Sequence, residues 1–128
     1  MRRGGKSEPA APPVEWASLR PVVTDALLHE IVDRVVAAFA PEQIVLFGSY
    51  AYGTPDLNSD LDLLVVMDSD EPMARRITRV SAAAQVPFLP MDVLVYTPAE
   101  VRERLAKGDF FLSEILAQGR VLYQRECG

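Results

Sequence analysis

The run Leu61-Asp62-Leu63-Leu64-Val65-Val66-Met67 leaves this chain few ways to fold. It has the length of a strand and carries apolar residues on both alternating faces, so a sheet that contains it has to be covered on both sides. Two other short runs share that character: residues 44–47, ended by Gly48, and residues 91–96. No run reaches the roughly 18 apolar residues of a membrane-crossing helix, so no membrane association is expected.

The segments between these strands have helical periodicity. Leu27, Leu28, Ile31, Val32, Val35, Val36 and Phe39 recur at steps of three and four opposite Asp25, Glu30, Asp33 and Arg34. Thr24 is placed to cap this helix, and Pro41 to stop it. A second helix is expected over residues 71–84, with Asp70 near its start and with Arg75, Arg76 and Arg79 on a solvated polar face. Thr97, Pro98 and Glu100 form a strong start signal for a third, which Gly108 closes. Asp109 or a neighbour caps a last helix bearing Phe110, Phe111, Leu112, Ile115 and Leu116, and residues 120–124 form a final strand after Gly119. The expected order is helix, strand, short helix, strand, helix, strand, helix, helix, strand. This predicts an α/β (α+β) layered fold with a mostly parallel or mixed sheet.

At 128 residues, about half of them apolar, the chain suits one hydrophobic core. Residues 1–14 are rich in Gly, Pro and Ala and are expected to form a flexible tail, leaving 15–128 as a single domain, with Trp16 a candidate anchor for the tail. A formal charge of -5 argues against broad capture of nucleic acid, so no direct binding of it is expected. The lone cysteine, Cys127, permits no intrachain disulfide, which favours a cytoplasmic protein. His29, the single histidine, falls on the polar side of its helix and is expected to face solvent.

Three aspartates fit this framework poorly as core or turn residues. Asp60 and Asp62 are two apart at the start of a strand, so both carboxylates project to one side, while Asp92 lies among the apolar residues of another strand. Like charges so placed require a shared proton, abundant water or a bound cation. With no His or Cys beside them, the oxygen donors suit Mg²⁺ or Mn²⁺ and not zinc. Asp92 is placed either to ligate an ion or to act as a general base. Asp56, Asn58 and Ser59 are accounted for by turn chemistry.

Upstream, Gly48 and Ser49 directly follow a strand. A glycine allows close backbone approach, and a serine hydroxyl with the free amides of a helix start can hold phosphate oxygens. The spacing matches neither the Walker loop nor the dinucleotide fingerprint.

Gly-Ser, ten residues and then Asp-Leu-Asp resembles the GSX10DXD signature of the minimal nucleotidyltransferases, within the DNA polymerase β-like nucleotidyltransferase superfamily. The resemblance extends from about residue 24 to 124 and takes in Asp92 and the closing FFLSEILAQGRVLYQ. It implies a small mixed sheet flanked by helices, two Mg²⁺ ions with Mn²⁺ as a substitute, and transfer of a nucleoside monophosphate from an NTP, with AMP from ATP the leading case, and loss of pyrophosphate. It also implies that Gly48 and Ser49 hold the triphosphate and that Asp60, Asp62 and Asp92 are the catalytic, metal-holding triad. Many relatives have arginines in the segment after Gly-Ser; this chain has Tyr50 and Tyr52, expected to pack and not to stack on a nucleotide.

The resemblance further implies an antitoxin that adenylylates a tyrosine of a partner HEPN RNase toxin. Two other readings stay open: transfer to an aminoglycoside-like small molecule, and a non-catalytic antitoxin that neutralises by binding.

Overall fold

Leu61–Val66 is an inner strand of a four-stranded sheet in the computed structural model, which describes residues 19–56 and 58–126. The elements run α1 Asp25–Phe39, β1 Gln43–Phe47, α2 Ser49–Tyr52, β2 Leu61–Val66, α3 Met73–Ala84, β3 Met91–Tyr96, α4 Pro98–Ala106, α5 Phe110–Gln118 and β4 Arg120–Gln124. This is the expected order. The expected tail, Trp16 and Cys127 lie outside the described residues, among which no helix is long and apolar enough to cross a membrane.

The strands lie in the order β3-β2-β1-β4. β2 and β3 are parallel, because α3 supplies the crossover that parallel neighbours need. β1 is antiparallel to both β2 and β4, so the sheet is mixed and not mostly parallel. The result is a small mixed sheet flanked by helices, the architecture that the resemblance implies.

Alternation along β2 sorts its side chains to two cores. Leu61, Leu63 and Val65 join Ile44, Leu46, Val93 and Val95 beneath α1 and α3, whose Ile31, Val35, Val80 and Ala84 are fully buried. Leu64 and Val66 join Val45 and Phe47 on the other face, beneath Leu112 and Ile115 of α5. Burying each such Leu or Ile is worth about 1.5–3 kcal/mol, so covering both faces supplies much of the folding free energy. The expected caps form: Thr24 Oγ1 accepts from Leu27 N at 3.1 Å, and Asp109 Oδ1 from Leu112 N at 2.9 Å. His29 is exposed, as expected.

Two expectations change at α3. The helix begins at Met73, since Pro72 occupies the N-cap position and Glu71 stays outside. Arg76 is not on a solvated face; it is 6% exposed, in line with buried Val80 and Ala84. Its guanidinium donates to both carboxylate oxygens of Glu100, at 2.7 and 3.0 Å, while Nε donates to the Glu71 carbonyl at 2.8 Å. Glu100 Oε1 also accepts from Thr97 N at 2.9 Å, completing the capping box of α4. The hydrogen bonds from Arg76 hold the Glu100 carboxyl down at about 2, below the ordinary 4.5.

Glu100→Ala would strand a buried guanidinium and is expected to cost about 3 kcal/mol in urea unfolding at pH 7. Because the folded-state carboxyl is the stronger acid, its contribution is present above 4.5 and is lost as pH falls toward 2. The gap between variant and wild type should therefore narrow as the pH is lowered below about 5.

Candidate active site

The sheet face beneath α5 is apolar in successive rows and then turns acidic. Across β1, β2 and β3, Val45, Leu64 and Leu94 stand opposite one another; the row nearer the C-terminal end of β1 is Phe47, Asp62 and Asp92. Leu112 and Ile115 of α5 cover the first row, and Phe47 is buried with them. Farther along the row the cover thins, so Asp62 is half-buried and Asp92, on edge strand β3, is exposed. Asp60, also exposed, precedes β2 directly.

These carboxylates act on one another. Asp62 is pushed up from 3.8 to about 6, first by burial, then by the charge of Asp92 and then by that of Asp60. The structure thus brings together the three aspartates singled out in the sequence, close enough for the charges of Asp92 and Asp60 to act on Asp62.

The glycine turn closes against the same carboxylate. Gly48 has φ 73 and ψ -158, a region essentially restricted to glycine, and a Cβ added there would collide with Oδ2 of Asp62. Its carbonyl accepts from Ala51 N at 3.0 Å and Tyr52 N at 3.1 Å, starting α2 with Ser49 in its first position. The amides that open a helix have no acceptor within it, so those of Ser49 and Tyr50 head this turn. The Gly48 backbone therefore lies close against the Asp62 carboxylate, with Ser49 the next residue along the turn.

The spacer behaves as turn chemistry. Asn58 N donates to Asp56 Oδ1 at 2.8 Å, and Asp56 N to Ser59 Oγ at 2.8 Å. Tyr50 packs against the larger core, as expected of a packing residue, whereas Tyr52 is half-exposed. Arg20, which the sequence did not single out, reaches Tyr50 and Ser59 from the segment before α1. No local signal marks it, because its partners lie 30 and 39 residues on.

Among the described residues no three His, Cys, Asp or Glu side chains form a ready cage for an ion. The donor set nonetheless fits a hard divalent cation. Mg²⁺ keeps several waters and is commonly held by one or two carboxylates plus phosphate oxygens, so a full protein cage is not required. A cation at Asp62 would also offset the repulsion that raises its proton affinity. A groove lined by Ile77, Ser81, Gln85, Leu89 and Met91 lies on the α3 side of the sheet, away from this acidic rim.

The raised Asp62 carboxyl has a consequence for metal-free protein. Folding favours the protonated form, so the associated stability is present below about 4 and lost as pH rises through about 6. In EDTA, Asp62→Asn is expected to melt higher than wild type at pH 8, by a margin that shrinks at pH 5. Adding Mg²⁺ at pH 8 should raise the melting temperature of wild type more than that of the variant.

Comparison with known proteins identifies the family of the chain. The family model described as "Nucleotidyltransferase domain" matches residues 28–122, which include both strand ends and all three aspartates. A candidate nucleotidyltransferase from Sulfolobus solfataricus superposes with a TM-score of 0.58 at 23% identity, over 93% of this chain and 96% of that one. A toxin-antitoxin complex with AMP-PNP superposes with a TM-score of 0.49 at 20% identity, over 81% of this chain and 76% of that one. No curated protein matches the chain. By the extent of the family match, the chain belongs to the nucleotidyltransferase domain family.

Proposed function

We propose that this chain uses Mg²⁺ and ATP to transfer AMP to a hydroxyl group, releasing pyrophosphate. The observation that carries this reading is the contact of the Gly48 turn with the Asp62 carboxylate, in register with Asp92. In this reading the turn holds phosphate and the carboxylate a cation, and magnesium triphosphate needs both close together.

In this reading Gly48 and Ser49 hold the triphosphate through backbone amides and the serine hydroxyl. Asp60 and Asp62 hold the metal, two ions in the fullest form with Mn²⁺ able to substitute, and Asp92 completes the triad. The bound ions supply charge neutralisation at the α-phosphate and the leaving pyrophosphate. The acceptor oxygen bonds to the α-phosphorus as the bond from that phosphorus to the bridging oxygen breaks. The alternative role for Asp92 is to receive the acceptor's proton, and its exposure on an edge strand suits an acceptor arriving from that edge.

For the acceptor we propose a tyrosine of a partner HEPN RNase, so that the chain acts as a cytoplasmic antitoxin and protein adenylyltransferase. The GSX10DXD resemblance supports this reading, and the exposure of Asp60 and Asp92 suits a hydroxyl presented by another protein. An aminoglycoside-like acceptor would instead make pyrophosphate release depend on the small molecule. A binding-only antitoxin would need none of the aspartates.

Label from α-labelled ATP is expected to pass to the co-expressed partner in the presence of Mg²⁺ and to stop with EDTA. Asp60→Asn with Asp62→Asn should lower the rate by about 100-fold or more, since metal stabilisation of the transferring phosphate is worth several kcal/mol. Unchanged transfer would remove the metal assignment. Full neutralisation of the partner by an Asp60, Asp62 and Asp92 triple variant would assign antitoxin action to contact alone.

A further inference from the structure

The ten residues between Ser49 and Asp60 begin with Tyr50 and end with Ser59. A single side chain from outside the segment holds both ends. Arg20, in the segment before α1, donates from Nη2 to Tyr50 Oη at 3.0 Å and to the carbonyl oxygen of Ser59. The tyrosine ring rests against the larger core, which fixes the position of its hydroxyl. The guanidinium is rigid and always charged, so hydrogen bonds from it are stronger than those between neutral groups.

We propose that Arg20 is a positioning residue for nucleotide binding. It sets the distance between the turn that carries Ser49 and the strand entry that carries Asp60 before the nucleotide arrives. This inference rests on the function proposed above. It also gives Tyr50 a role beyond packing: its hydroxyl accepts from a guanidinium supplied from elsewhere in the chain.

Pre-setting the two halves of a site strengthens binding because the ligand does not have to order them. Removing a charge-assisted bond of this kind should weaken nucleotide affinity by about 10-fold. Arg20 acts through Tyr50 in part, so the effects of changing the two residues should not add.

The test uses the full chain and calorimetric affinity for a non-hydrolysable ATP analogue with Mg²⁺. Arg20→Met is expected to weaken binding about 10-fold and Tyr50→Phe about 3-fold. The double variant should match Arg20→Met, and Arg20→Lys should recover part of the loss. Hydrogen exchange of residues 49–60, measured without nucleotide, should quicken in Arg20→Met and in Tyr50→Phe. Wild-type affinity and exchange in both variants would overturn the proposal, as would additive losses, which would mean that Arg20 meets the nucleotide directly. Asp60→Asn with Asp62→Asn reports separately on the metal site. Should wild type itself fail to bind the analogue, the function proposed above falls, and with it the inference for nucleotide binding.

Discussion

The acidic rim depends on the hydrogen-bonded register of β2 with β3. Asp62 stands opposite Asp92 because Leu63 and Val65 stand opposite Val93 and Val95, all four buried beneath α1 and α3. A slip of one residue in β3 would turn those valines out of the core and bring Asp92 into it. Placing an unpaired carboxylate among them would cost several kcal/mol, so hydrophobic sorting keeps the two aspartates on one face, and the strand pairing sets them opposite each other. The charged row follows from the apolar rows next to it.

That row is unfavourable by itself, which is informative. Burial and two neighbouring negative charges raise Asp62, and the backbone of Gly48 is forced close against it in a conformation open to glycine alone. Mutually repelling charge combined with a restricted turn is a common mark of a ligand site, because a core under selection for stability would discard both. Two arginines steady the surroundings. Arg76 ties α3 to the start of α4 across the end of β3, and Arg20 ties the two ends of the spacer.

Much of the fold was legible because its signals are local. The strand runs, the Thr24 and Asp109 caps and the Thr97, Pro98 and Glu100 start each depend on a few adjacent residues, and each forms as expected. The start of α3 was misplaced by two residues because Glu71 looked helical, whereas Pro72 is suited to the N-cap position. Arg76 was assigned to solvent for a different reason. Its composition is polar, and only a carboxylate 24 residues on makes its burial tolerable.

The sequence by itself determined which groups are available: a glycine and a serine after one strand, two aspartates at the start of the next, and a third in another strand. It also determined their period, since alternation along a strand dictates which neighbours share a face. Only the tertiary structure decided that β1 runs against both its neighbours, that Asp92 shares a row with Asp62, and that Arg20 closes the spacer. Those outcomes depend on pairings between distant segments. They are chosen by burying all the apolar faces at once, a sum that no short window of residues contains.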